Sequence, residues 1–211
     1  MIALVTATGT GVGKTWVTCA LARELARSGA RVVAIKPIET GGGDDGELLA
    51  AATGQAEPRR ALVRLREPLT PALAADREGV TLDFDALVAD VAGFARGADV
   101  ALVEGAGGVL SPITWDADAT TLARALGAKV VLVAPDALGT LSAVLTAMVA
   151  LRASSLAPAA VVLVEPAARD ASTGTNADAL RRRAGVVLEV PRDQQRAIVG
   201  LARVLRDTTS V

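Results

Sequence analysis

The most distinctive chemistry in the sequence lies near its start, in residues 6–15, which read Thr-Ala-Thr-Gly-Thr-Gly-Val-Gly-Lys-Thr. The segment follows a predicted strand and opens a predicted helix, which is the context that a phosphate-binding loop requires. Its glycines let backbone N–H groups approach phosphate oxygens, and the helix N-terminus adds partial positive charge. Lys14 would then reach the β- and γ-phosphates, and the Thr15 hydroxyl would ligate Mg²⁺. Thr8 replaces the first glycine of the consensus G-x-x-x-x-G-K-[ST], so this loop is a variant.

A magnesium ion at such a loop needs carboxylate ligands as well, because Mg²⁺ prefers octahedral oxygen coordination. Glu104 is the obvious candidate, since it ends a buried apolar run and precedes the glycine-rich residues 105–108. A second carboxylate is expected from Asp44 or Asp45, which follow three consecutive glycines. The residue pattern alone does not choose between these two.

Lysines are rare in this chain, and their positions are informative. Lys14, Lys36 and Lys129 are three of the 22 basic residues, and the rest are arginines. Lys36 ends the second predicted strand, so it lies at the same edge of the sheet as the phosphate loop. Two ammonium groups and one metal ion around a polyphosphate indicate phosphoryl transfer, because charge on the moving group must be stabilised.

The composition excludes several kinds of chemistry. The 211 residues contain no histidine, no tyrosine and one cysteine, which excludes histidine-dependent triads, histidine-ligated zinc and internal disulfides. A net charge of −1 gives no sign of a nucleic-acid-binding surface. The uncharged run at 137–151 is shorter than the roughly 20 apolar residues of a membrane span. No basic segment precedes the first apolar run, so a cytoplasmic location is expected and no membrane partner.

Short apolar runs alternate with helical patterns along the chain. Runs that are apolar on both faces are typical of parallel strands between two layers of helices. The predicted strands cover residues 2–6, 31–36, 100–104, 130–134, 160–164 and 186–190. The predicted helices cover residues 14–28, 45–53, 83–96, 119–126, 139–153, 176–183 and 194–206, and residues 54–82 form a loop-rich stretch. We predict a single α/β domain over residues 1–211, with a three-layer, mostly parallel sheet of the P-loop NTPase type.

Five segments together make the sequence recognisable: residues 5–15, 36–41, 67–75, 103–108 and 138–140. With them the chain resembles the dethiobiotin synthetase family over nearly its whole length. These enzymes use ATP to close the ureido ring in biotin synthesis. The resemblance implies Mg²⁺ and ATP as cofactor and co-substrate, 7,8-diaminononanoate and CO2 as the other substrates, and a homodimer.

The resemblance also implies roles for individual residues. It favours Asp45 over Asp44, so that Thr15, Asp45 and Glu104 surround Mg²⁺, while Lys14, Lys36 and Thr10 act at the reaction centre. The implied substrate-binding residues are Thr40, Lys36, Pro71, Gly107 and Gly108. The implied nucleotide-binding residues are Gly11, Val12, Gly13, Lys14, Thr15, Trp16, Asp45, Glu104, Gly105, Ala106, Gly107, Val164, Pro191, Arg192 and Asp193.

The reaction that the resemblance implies requires no nucleophile from the protein. One amine of the diamine takes up CO2 as a carbamate, and the γ-phosphoryl of ATP is transferred to that carbamate. The second amine then attacks the mixed anhydride and expels phosphate. These steps require two anions to be held together, for which lysines and a metal ion are suited.

The sequence departs from the family pattern at three places. Ala7 and Gly9 stand where many members have Gly and Asp, and Ser142-Ala143 stands where Asn-His is common. Val164 stands where an asparagine usually reads the adenine, so the base specificity is open.

Other functions share this pattern. Partition and division-site ATPases use a similar sheet as a dimer switch, but they carry a second lysine early in the loop, which is absent here. A standalone synthetase domain of the cobyrinate amidotransferase type, or a plain nucleotide-binding module, are the remaining alternatives.

Overall fold

A parallel sheet forms the centre of the molecule. The computed structural model describes residues 1–191 and 196–207. Within these residues six strands form a sheet in the order β2-β5-β1-β6-β7-β8, and every neighbouring pair is parallel. These strands are β1 (Ile2–Ala7), β2 (Val32–Ile35), β5 (Val100–Glu104), β6 (Lys129–Pro135), β7 (Pro158–Val164) and β8 (Val187–Val190), and a separate pair is formed by β3 (Ile38–Thr40) and β4 (Val63–Leu65).

Helices cover both faces of this sheet. They are α1 (Lys14–Arg27), α2 (Asp45–Thr53), α3 (Pro71–Glu78), α4 (Phe84–Ala95), α5 (Ala119–Ala125), α6 (Thr140–Ala153), α7 (Asn176–Ala184) and α8 (Arg196–Asp207). Alternate strand residues enter two separate cores: Ala3 and Val5 pack with α1, α2 and α8, whereas Leu4 packs in the core that includes α4 to α7. The period of two along each strand therefore produces the three layers.

The structure confirms the predicted α/β fold class with a parallel sheet between two layers of helices. Each predicted strand of the main sheet is present, with ends that differ by one or two residues. The loop-rich segment 54–82 also contains two elements that were not predicted, β4 and α3, and β3 pairs with β4 in parallel. Three-residue strands are too short to show a periodic pattern, and their pairing is not local. The start of α3 did carry a signal, since Pro71 occupies its first turn.

The order of the strands brings the predicted functional segments together. β5 lies between β2 and β1, with Ile35 opposite Val103 and Val5 opposite Glu104. Because these strands are parallel, the phosphate loop after β1, the end of β5 and the residues after β2 meet at one edge. Among the helices of the described residues, none combines the length and the apolar character that a membrane crossing requires.

Candidate active site

Five polar side chains from four segments converge at this edge of the sheet. The Thr15 hydroxyl lies 2.8 Å from Asp45 Oδ1 and 2.9 Å from Glu104 Oε1. The Lys36 ammonium donates to Asp45 Oδ2 at 2.6 Å and to Glu104 Oε1 at 2.7 Å. The Lys14 ammonium is held nearby by the carbonyls of the loops on either side. The structure thus groups residues that the sequence singled out separately.

The oxygen atoms of Thr15, Asp45 and Glu104 fit a magnesium site. A hydroxyl has one hydrogen, so it can donate to only one of the two carboxylate oxygens that approach it. The second oxygen of Glu104 is buried, and within the described residues it has no hydrogen-bond partner. Carboxylates and a hydroxyl are the hard oxygen ligands that Mg²⁺ takes in proteins. The unpartnered Glu104 oxygen and the two carboxylate oxygens that share one hydroxyl hydrogen are the features that a cation ligated by these residues would satisfy.

Lys36 is the most buried ammonium of the cluster, with 4% of the residue exposed. Burial alone would lower its pKa, but Glu104 and Asp45 outweigh burial and raise the pKa. For Asp45 the effects have the opposite signs: burial alone would raise the pKa of this carboxyl, but Lys36 and the Thr15 hydroxyl outweigh burial and lower it. The two carboxylates therefore favour the charged form of Lys36 in spite of its burial.

Lys14 sits differently, because backbone carbonyls rather than carboxylates hold it. Its ammonium donates to Gly9 O at 3.0 Å and to Gly107 O at 2.9 Å. Burial and the charge of Lys36 lower its pKa to about 8, against the attraction of Glu104 and Asp45. An anion placed at the loop would favour the charged form of Lys14.

Gly13 is the one loop position at which a side chain is excluded on two counts. Its φ of 100° lies in the left-handed region, where glycine is favoured. A Cβ added there would lie 3.1 Å from a methyl group of Val164 at the end of β7. The phosphate loop is thus packed directly against the end of β7, which is separated from β1 by β6.

A cleft of about 700 Å³ opens over this cluster. Of the residues predicted from the sequence, those that line it are Thr10, Gly11, Gly13, Lys14, Thr15, Trp16, Lys36, Thr40, Asp45, Pro71, Ala106 and Gly107. Three other predicted residues, Val12, Gly105 and Gly108, belong to the same loops but lie outside the cleft wall. Glu104 lies beneath the cleft and reaches it through its contacts with Lys36 and Thr15.

Sequence reasoning missed several residues of this cleft. Glu39 and Ser111 both line it, together with Ile38, Gly43, Pro68, Leu69 and Thr70. Glu39 is 3% exposed, and burial raises the pKa of its carboxyl. An acidic residue inside the motif at 36–41 was the available signal. Ser111 accepts a hydrogen bond from the Gly108 N–H at 2.8 Å, a contact that no short pattern indicates.

A second cavity of about 340 Å³ lies at the ends of β6, β7 and β8. Asp136, Glu165, Arg169 and Pro191 are among its lining residues, and Arg169 pairs with Glu165 at 3.3 Å. Val164 is not in this wall, since its side chain packs against Gly13. The predicted nucleotide contacts Arg192 and Asp193 lie outside the described residues.

The segment over this second cavity is fixed by buried polar contacts that the sequence did not suggest. Asp136, 5% exposed, accepts from the Gly174 N–H at 2.8 Å and from the Asn176 amide at 2.7 Å. The Asp136 N–H in turn donates to the Val164 carbonyl. These bonds tie the end of β6 to the segment between β7 and α7.

Solved structures show a fold like this one in distant proteins. The chain is similar to the MinC:MinD cell division protein complex of Aquifex aeolicus, with a TM-score of 0.62 and 13% identity over 98% of this chain and 96% of that chain. It is also similar to a nucleotide-binding protein in complex with ADP from Archaeoglobus fulgidus, with a TM-score of 0.54 and 16% identity over 96% and 86% of the two chains. At these identities the likeness concerns the fold alone.

Closer relatives were found by sequence. A family model described as an AAA domain matches residues 3–197. The chain is 48% identical over 173 residues to the ATP-dependent dethiobiotin synthetase BioD of Caulobacter sp. (strain K31), covering 76% of this chain and 74% of that protein. It is 38% identical over 196 residues to the protein of the same name from Methylobacterium nodulans, covering 84% and 87%. With this identity over this much of its length, the chain belongs to the ATP-dependent dethiobiotin synthetase family.

Proposed function

We propose that this protein is an ATP-dependent dethiobiotin synthetase, which converts 7,8-diaminononanoate, CO2 and ATP into dethiobiotin, ADP and phosphate. The observation that carries the proposal is the position of Lys36, a buried ammonium held by two carboxylates beside a phosphate loop. A cation at that place can attract both the triphosphate and a second anion. This is what joining a carbamate to a phosphoryl group requires.

The phosphate loop and the carboxylates supply the nucleotide half of the site. Gly11, Gly13 and Lys14 would contact the phosphates of ATP, with Thr10 next to the transferred group. Thr15, Asp45 and Glu104 would hold Mg²⁺, which supplies charge neutralisation for the triphosphate. When the nucleotide binds, Lys14 can exchange its bonds to the Gly9 and Gly107 carbonyls for phosphate oxygens.

The remaining cleft residues would position the diamine. An amine nitrogen attacks CO2 and loses a proton, giving a carbamate anion. A carbamate oxygen then attacks the γ-phosphorus and ADP leaves. Attack by the second amine on the carbamoyl carbon closes the ring, releasing phosphate and a proton. Thr40, Pro71 and Gly107 line the cleft, and we assign them with Gly108 to the diamine.

Lys36 acts in both halves of this reaction. Its charge is needed most when negative charge builds on the transferred phosphoryl group, so it contributes more to the rate than to binding. The same charge would keep the carbamate oxygen close to the γ-phosphorus. None of the steps requires a histidine or a covalent intermediate with the protein, in agreement with the composition.

A homodimer and a cytoplasmic location belong to the same proposal. The outer face of α6 presents Leu141 and Val149, and Leu138 just before this helix is 86% exposed. Exposed apolar side chains on one helix face are suited to a protein contact. The requirement for ATP as co-substrate supports the location.

The test is direct product analysis. Purified protein is incubated with 7,8-diaminononanoate, bicarbonate, Mg²⁺ and ATP, and mass spectrometry follows the cyclic urea and ADP. We expect both products in equal amounts, with little phosphate release when the diamine is omitted. Equal phosphate release without the diamine, and no cyclic urea, would indicate a switch-type ATPase instead.

A further inference from the structure

Glu39 is a buried acid at the edge of the active site whose bonds are not explained by substrate binding. It lies in β3, and its Oε1 accepts a hydrogen bond from the Asp45 backbone N–H at 2.5 Å. Its other oxygen lies 3.8 Å from the Arg64 guanidinium. A Cβ on Gly43 would lie 3.0 Å from Glu39 Oε1, so this carboxylate fills the space beside the turn that leads into α2.

By accepting the Asp45 N–H, the Glu39 carboxylate substitutes for a missing side-chain cap at the start of α2. α2 begins at Asp45, and the first N–H groups of a helix have no partner within the helix itself. Asp44 is at the capping position, yet within the described residues its side chain makes no capping bond. Glu39 therefore satisfies this helix end from a different element.

Asp45 is the residue at which this helix end meets the ion cluster. Its backbone N–H is bound to Glu39, while its carboxylate contacts Thr15 and Lys36. Asp45 is the only member of the cluster that begins a nine-residue helix reached through a glycine-rich turn. Thr15 and Lys36 contact the oxygen atoms of this carboxylate, whereas the bond to Glu39 fixes the backbone from which the side chain extends.

We propose that Glu39 is a positioning residue, which acts as the N-terminal cap of α2 and thereby holds the Asp45 carboxylate where Thr15 and Glu104 can share a magnesium ion with it. The inference rests on the proposed function in one respect, that Asp45 binds the metal. It assigns to Glu39 an acceptor atom at a fixed place, and no contact with the diamine. Loss of such support around a metal ligand typically weakens metal affinity about 10- to 100-fold.

Three substitutions separate the acceptor atom from the charge. E39Q removes the charge but keeps an oxygen that can accept from the Asp45 N–H. E39D keeps the charge but is one methylene shorter, so it withdraws the acceptor. E39A removes both. Glu47 provides a matched control. It lies in α2, the helix that Glu39 contacts, and it pairs with the same Arg64 at 2.9 Å.

The experiment measures binding of a non-hydrolysable ATP analogue by calorimetry over a series of Mg²⁺ concentrations. We expect E39D and E39A to need at least about tenfold more Mg²⁺ for half-maximal binding. E39Q and E47A should stay within about threefold of the unmodified protein. If E39A does not fold, the contrast between E39D and E39Q still decides the matter.

Two results would overturn the inference while leaving the proposed function intact. E39Q as weak as E39D would mean that an acceptor atom at this place is not sufficient, which contradicts the proposed role of Glu39 as a cap. An equal loss in E47A would mean that any change near Arg64 disturbs α2. If the unmodified protein bound no nucleotide with Mg²⁺, the proposed function would fail along with the inference.

Discussion

The two cavities at the carboxyl edge of the sheet are built on different principles. The larger one, over β1, β2 and β5, contains buried ions that neutralise one another: Lys36 and Glu104 are 4% and 0% exposed. The smaller one, at β6 to β8, combines the buried Asp136, whose carboxylate accepts from uncharged N–H donors, with a surface pair in which the Arg169 side chain is 66% exposed. Buried ions that lack a partner are costly, so the larger cavity tolerates little change. Exposed pairs contribute little, so the smaller one can vary.

This contrast places the departures from the family pattern in context. Val164 lies between Leu163 and Glu165, which line the smaller cavity. Lys36 and Asp45 line the larger one, and Glu104 lies beneath it. We therefore expect that changes in the larger cavity affect turnover and metal dependence. Changes around the smaller one should affect which base is accepted.

Lys36→Met is expected to have the largest effect. Loss of a charge that stabilises the transferred group should lower kcat about 100- to 1,000-fold, with a smaller change in nucleotide affinity. It also leaves Asp45 and Glu104 without their ammonium, which should lower the free energy of unfolding by about 3 kcal/mol without metal. Steady-state kinetics and urea unfolding measure the two effects.

Lys129→Met is the control for this variant. Lys129 is the first residue of β6, at the end of the strand away from the carboxyl edge where the active site lies. Its ammonium donates to the Leu205 carbonyl at 3.1 Å. Its replacement should leave kcat unchanged within about twofold. Equal losses of kcat and of nucleotide affinity in Lys36→Met would make Lys36 a simple binding residue.

Glu104→Gln should be the next largest. The amide keeps the shape but removes an anionic oxygen, so the Mg²⁺ concentration for half-maximal turnover should rise at least about tenfold. High Mg²⁺ should restore part of the activity. Turnover with an unchanged dependence on Mg²⁺ would assign Glu104 a structural role as the partner of Lys36.

Replacing ATP by another nucleoside triphosphate should have a smaller effect on turnover than Lys36→Met or Glu104→Gln. Val164 packs on Gly13 and offers no polar group to a base, and an apolar wall discriminates weakly. We expect CTP, GTP and UTP to support turnover within about a hundredfold of ATP. Competition kinetics at saturating diamine and bicarbonate provide the measurement. A stronger preference for ATP would indicate that Glu165, Arg192 or backbone groups read the base.

The smallest effect concerns Asp170, in the segment over the smaller cavity. Its carboxylate accepts bonds from the Ser172 hydroxyl and from the Leu138 N–H, and these lower its pKa to about 2. Because the folded pKa lies below the unfolded value of 3.8, this contribution to stability is present above pH 4 and is lost as the pH falls toward 2. Asp170→Asn should therefore have a lower Tm than the unmodified protein at pH 6. The difference in Tm should be smaller at pH 2.5. A difference that stays constant with pH would contradict the assignment.

The sequence was most informative where a function depends on strand ends. Lys14, Lys36 and Glu104 each follow or end a strand, and parallel strands bring such positions together, so their proximity could be predicted. The choice between Asp44 and Asp45 could not be made from the residues alone, because both lie at the predicted start of α2 and the direction of each side chain depends on the backbone there. The Asp45 N–H at this start is bound by Glu39, which is six residues away and in another element. The short β3 and β4 pair and the Asp136 to Asn176 contact were missed because both depend on tertiary packing.

The internal neutrality of the ion cluster also affects how ligands arrive. The two ammonium groups of Lys14 and Lys36 balance the two carboxylates of Asp45 and Glu104, so this cluster by itself projects only a weak field into solvent. Long-range steering, which accelerates the association of charged molecules, therefore contributes little here. Free polyanions gain no advantage from distance and are not concentrated at the cleft. A nucleotide that arrives with its own divalent cation is recognised only at contact, so selection occurs at short range and not during approach.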